Sequence, residues 1–155
     1  MANAADPFAK PFVAETEQAG PTLGLEIMTI LVRDSQELAT AFATAASARA
    51  DAAILQGSLP NKSAADMALK QRLPLFGTNR PTVVSGALMS YSGQMQEAYN
   101  QAAIFIEKIL KGAKPADLPV QESTKFELII NLKTAKALGL TVPPAVLARA
   151  DELIE

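Results

Sequence analysis

Any catalysis in this chain would have to run on carboxylates, lysine, serine, threonine or tyrosine, because its 155 residues include neither histidine nor cysteine. The usual near-neutral proton shuttle and commonest metal ligand are therefore missing, and so are thiolate chemistry and disulfides. Asp34 or Asp51 can be assembled on paper with Ser58 or Lys62, but such residues furnish any surface loop. There is no Gly-x-Gly-x-x-Gly turn, no phosphate loop ending in Gly-Lys-Ser/Thr, no Gly-x-Ser-x-Gly elbow and no metal-spaced cluster. The reading is a non-enzyme that uses no cofactor. What remains is the chemistry of holding a ligand, in three loops dominated by small residues and hydroxyls: Arg33-Asp34-Ser35, Gln56-Gly57-Ser58 and Gly77-Thr78-Asn79-Arg80. Lys108, Lys111 and Lys114 read as a solvated helix end that complements the helix dipole rather than as an anion site.

The elements that would position those loops alternate in type. A short helix after Pro7 uses Phe8, Phe12, Val13 and Ala19 and closes at Gly20, Pro21 and Gly24. Residues 25–32 read as a buried strand, and Asp34 with Glu37 as a capping pair for a helix ending near Arg49. A second strand at 52–56, a helix at 61–72 and a third strand at 73–76 follow. Short right-handed connections then give a parallel α/β sheet with helices on both faces, with ligands expected outside the C-terminal ends of the strands. Further on come a strand at 87–91, a long helix at 94–110, an extended connection at 115–119 and a strand at 126–132. A short helix stopped by Gly139 follows, then a last helix from 142–144 whose apolar side is Val146, Leu147, Ala150, Leu153 and Ile154.

Length sets a prior of one domain, large enough to bury about two-thirds of its unfolded surface. A hydrophobic content of 49%, rich in alanine and poor in aromatics, suits helices packed closely on a sheet. The net charge of −2 provides no field to attract nucleic acid or an anionic membrane, so neither is expected as a partner. The start, Met1 to Pro7, has neither a basic n-region nor an apolar run, so no signal peptide is read there, and no stretch approaches a membrane span.

Gly86-Ala-Leu-Met-Ser-Tyr91, then Ile109-Leu-Lys-Gly-Ala-Lys-Pro-Ala-Asp-Leu-Pro119, then Lys125-Phe-Glu-Leu-Ile-Ile-Asn-Leu-Lys-Thr-Ala-Lys-Ala-Leu-Gly-Leu140 together carry a resemblance. The chain resembles the C-terminal half of ABC-transporter substrate-binding proteins of the periplasmic-binding type I group, the branch whose better-known members take up aromatic amino acids. The resemblance implies a second-lobe α/β domain from residues 1–85 and 120–155, and a crossover segment, 86–119, belonging to the first lobe. Asn3 to Pro7 then looks like the turn after the second lobe's first strand, which would be missing. An unfilled sheet position implies an intermolecular remedy, a homo-oligomer or a swapped element.

The same resemblance implies capture of a small polar ligand such as an amino acid by lobe closure, an ABC permease as partner and a periplasmic setting. Its candidate ligand contacts are Gly57, Ser58, Thr78, Asn79, Arg80, Ser90 and Tyr91. Each has a structural alternative. Ser58 can cap the next helix, Arg80 can be a solvated loop charge, and Tyr91 can simply pack and hydrogen-bond within the fold. Asp117 reads as a turn residue. Two rival functions stay open: a truncated, non-binding oligomerising fragment, and a cytoplasmic ligand-sensing domain.

Overall fold

A computed structural model describes residues 1–121 and 124–155. Its elements are β1 (Ala2–Asn3), α1 (Ala9–Thr22), β2 (Leu31–Val32), α2 (Glu37–Ser47), β3 (Ala53–Leu55), α3 (Asn61–Lys70) and β4 (Leu75–Gly77). They continue with α4 (Arg80–Val84), β5 (Met89–Gly93), α5 (Met95–Leu110), β6 (Phe126–Asn131), α6 (Leu132–Leu138), α7 (Pro144–Leu147) and β7 (Glu152–Ile154). A single 3-10 turn, Pro115–Asp117, lies between α5 and β6 and contains Asp117.

The sheet is mostly parallel, as alternation of strand and helix dictates. β3, β4, β5, β6 and β7 pair in that order, and only β5 and β6 run antiparallel. β1 and β2 form a separate parallel pair, which Met1 joins to β3: its ammonium donates to the Ile54 carbonyl at 2.7 Å and its carbonyl accepts from Gln56 N–H at 3.1 Å. Apolar side chains from one sheet face, Ala53, Leu55 and Leu75, are buried beneath α2 and α3, where Leu38, Ala41, Phe42, Ala45, Ala64, Ala65 and Ala68 close the core. Alanine on the helix faces lets backbones approach the sheet closely while Phe42 fills the remaining volume.

Several expectations are corrected. The turn at Asn3 to Pro7 is preceded by a short piece of strand, Ala2–Asn3, registered on Leu31 and Val32. Of residues 25–32 only the last two form a strand, because β1 reaches no further along them. A short helix, α4, stands where a loop was expected, opened by Asn79 as its cap. β5 joins the five-stranded sheet, pairing with β4 through Met89 and Ser90 and with β6 along its whole length. The last apolar run does not stay helical: α7 ends at Leu147, and Glu152–Ile154 form a strand beside β6. There Leu153 sits opposite Ile130, and cross-strand pairing along a buried strand outweighs helical spacing.

α5 is a different case. Its sixteen residues carry an apolar side including Met95, Tyr99, Ile106 and Leu110, yet none of them is buried. It leaves the body through Gly93 and returns through Lys125, where the Gln94 N–H donates to the Lys125 carbonyl at 2.9 Å. No helix among the described residues is long and apolar enough to cross a membrane.

Candidate functional site

Strand register builds a rim. Leu55 is level with Gly77, Gly77 with Ser90, Ser90 with Ile129, and Ile129 with Glu152. One position further, Gln56, Thr78, Tyr91, Leu128 and Asp151 therefore lie along one line, at the C-terminal ends of β3 and β4. The β1–α1 loop joins this line at its far end, since Gln56 N–H donates to Met1 and Asn3 N–H donates to the Gln56 side-chain carbonyl at 2.8 Å. β1 and β3 are neighbours whose connections lead away from each other, to β2 and to β4. That is a topological switch point, where open α/β sheets form their ligand crevice.

A connected polar network lies at this switch point. Gln56 is buried, and its amide nitrogen donates to Asp6 Oδ2 at 2.9 Å. Asp6 Oδ1 accepts the Phe8 backbone N–H at 2.8 Å. The Ser58 hydroxyl, followed by the Phe8 N–H, holds the Asp6 carboxyl below its ordinary value, so this loop cluster carries a negative charge. Asp6 was not among the expected contacts. Its position in an Asn-Ala-Ala-Asp-Pro turn reads as turn chemistry, and only the pairing of β1 beside β3 brings it against Gln56 and Ser58.

Gly57 and Asn79 join the next two loops. A Cβ at Gly57 would lie 2.2 Å from the Asn79 side-chain nitrogen and 3.1 Å from the Thr78 hydroxyl, so only glycine lets these loops touch. Asn79 Oδ1 accepts the Thr82 N–H at 3.1 Å and the Thr82 hydroxyl at 2.7 Å, capping α4. Arg80 is not free for a ligand: its guanidinium grips Glu152 through Nε at 2.8 Å and Nη2 at 2.7 Å, in the two-pronged geometry suited to a carboxylate. Each partner shifts the other, raising Arg80 and lowering Glu152.

β5 separates the last two candidates. Ser90 points into the fold, 1% exposed, and its hydroxyl finds no partner among the described residues. Tyr91 points the opposite way, 65% exposed, and stacks on Phe126 with ring centres 5.5 Å apart and planes at 17°. Beyond Ser90 the strand pairs only with β6, so Tyr91, Ser92 and Gly93 form a two-stranded ribbon that leads out to α5. Tyr91, Phe126, Leu128, Arg149 and Asp151 enclose an open hollow of about 480 Å³. Phe126 was expected only as a strand residue, and Arg149 and Asp151 as part of a helix; their register against β6 is what draws them here.

No group of three His, Cys, Asp or Glu side chains among the described residues is placed to hold a metal ion. The arrangement can bind: it offers a carboxylate network around the buried Gln56, several hydroxyls and an exposed aromatic pair.

A sequence model for a family described as ABC transporter substrate binding protein matches residues 2–154. Among solved structures, a conserved domain protein from Vibrio cholerae O1 biovar El Tor superposes with a TM-score of 0.89 and 25% identity, over 98% of this chain and 52% of that one. An ABC domain from Streptococcus pneumonia, solved in complex with L-Trp, gives 0.86 and 25%, over 99% of this chain and 54% of that one. The ligand-free, open form of a Clostridium difficile substrate binding protein with adhesive properties gives 0.74 at 18% identity and covers 99% of this chain and 52% of that one, a likeness of fold. An uncharacterised protein of Rickettsia prowazekii (strain Madrid E) is 33% identical over 67 residues, 43% of this chain and 22% of that protein. The chain thus spans about half the length of the solved relatives and under a quarter of the curated one.

Proposed function

From the premise that this chain belongs to the ABC transporter substrate binding protein family, we propose that it forms one wall of a ligand cleft and captures a small polar molecule, such as an amino acid, for a bacterial ABC importer. Membership of a substrate-binding family points away from catalysis. The observation that carries the reading is the polar network of the β1 and β3 loops, where Asp6, Gln56 and Ser58 meet at the switch point at which such sheets take their ligands. Gly57, Thr78 and Asn79 continue that wall, and Tyr91 stands at its end, on the ribbon leading to α5. In this reading residues 94–119 belong to the opposite lobe, and closure of the two lobes buries the ligand. Closure proceeds only as far as the ligand's differential affinity for the closed state drives it. The L-Trp held by the Streptococcus relative supports an amino acid as the ligand class. A permease partner and a periplasmic setting follow from the family.

A second reading is favoured by α5, whose apolar side is uncovered: the chain oligomerises through it and binds no small molecule. Thermal unfolding against a panel of amino acids and small carboxylates separates the two. A ligand at roughly 100 times its dissociation constant adds about 2.7 kcal/mol. A shift confined to one chemical class is the expected result, and a cooperative transition that no compound moves leaves the oligomer reading in front.

A further inference from the structure

The rim contains a cation with nothing to hold. Arg80 is closed on Glu152, whereas the Arg149 guanidinium makes no hydrogen bond or ion pair among the described residues. It lines the hollow beside Tyr91, Phe126, Leu128 and Asp151. Asp151 shares the hollow but forms no ion pair with Arg149 among the described residues; its Oδ2 accepts the Leu128 backbone N–H at 2.8 Å. The same hollow is lined by the exposed Tyr91–Phe126 stack, supported by cross-strand packing. A forked N–H donor and a stacked aromatic pair lining one space of about 480 Å³ match a small molecule that has both a carboxylate and an apolar body.

We propose that Arg149 is the anion-reading residue of this chain, holding a ligand carboxylate in the hollow while Tyr91 and Phe126 cover the ligand's apolar body. The proposal deepens the ligand-capturing reading and rests on it. It also moves a role: the ligand contact expected of Arg80 falls to Arg149, because Glu152 already fills the Arg80 fork.

The chain carries its own reporter. It has two tyrosines and no tryptophan, so Tyr99→Phe on exposed α5 leaves Tyr91 as the only emitting side chain. Cyclohexanecarboxylate and its neutral amide, neither of which absorbs where tyrosine does, are titrated against Tyr91 emission. The carboxylate should give a saturable change and the amide should bind roughly ten- to a hundredfold more weakly, the loss expected when a charge-assisted bond is removed. Arg149→Gln, an exposed change expected to leave the melting temperature in place, should erase that preference, and Arg149→Lys should restore part of it. The proposal is overturned if neither compound gives a saturable change, or if Arg149→Gln keeps the preference. A compound that raises the melting temperature equally in the parent and in Arg149→Gln, with Tyr91 silent, overturns this subsite while ligand capture stands. Silence of both Tyr91 and the melting temperature across all compounds overturns both.

Discussion

Asn79 performs at one residue what two loops require: it caps α4 through Thr82 and presses its amide against the face of Gly57. Asn79→Ala should cost about 0.5–2 kcal/mol by losing the cap. Gly57→Ala should cost about 1–3 kcal/mol by forcing the loops apart. Urea unfolding of each variant checks both values. Arg80 and Glu152 give a pH signature. Arg80 holds the Glu152 carboxyl below its ordinary value of 4.5, so the unfolded chain takes up that proton first as pH falls. The pair's contribution is complete above that value and is lost as pH drops through the lower folded one. Glu152→Gln should therefore lower stability slightly at neutrality, the pair being solvent-screened, and that difference from the parent should vanish as pH falls below about 4.5. At this scale the sequence was legible where a residue's role is local. Asp34 and Glu37 do bond the chain entering α2, Asp34 Oδ1 accepting the Glu37 N–H at 3.0 Å and Glu37 accepting the Arg33 N–H at 2.9 Å, although the residue at the cap position is Gln36. It was not legible for Arg80, whose partner lies 72 positions away.

Most of the elements could be anticipated because their apolar spacing is strong and their ends are marked. α3 begins at Asn61 as expected, and α6 stops at Gly139, which adopts a left-handed backbone with φ 75°. The failures occur where pairing decides. Residues 25–30 have strand composition but little strand beside them, and the 152–154 run has helical spacing but a buried neighbour in β6. The contrast between α5 and β6 is testable by substitution. Ile106→Gln, on the exposed side of α5, should change stability by no more than about 0.5 kcal/mol. Ile129→Ala, fully buried in β6, should cost about 2–5 kcal/mol. Equal costs at the two positions would mean that α5 is covered in solution.

At the scale of the molecule, one sheet with helices carries a polar network at its switch point, and an apolar helix stands off at the end of a ribbon. Both features suit half of a two-lobed binder, in which α5 crosses to the other lobe and the network faces the ligand. If the chain instead satisfies α5 with a second copy, sedimentation should show concentration-dependent association that Ile106→Gln weakens; a monomer at every concentration would exclude that remedy. Where the ligand sits is read from the amide spectrum of the isotope-labelled chain as the compound giving the largest thermal shift is added. Perturbations concentrated at Asp6, Gln56, Gly57, Ser58, Thr78 and Tyr91, along the line set by strand register, are the predicted result. Perturbations confined to the surface between β2 and α2, or none at saturating compound, would contradict it.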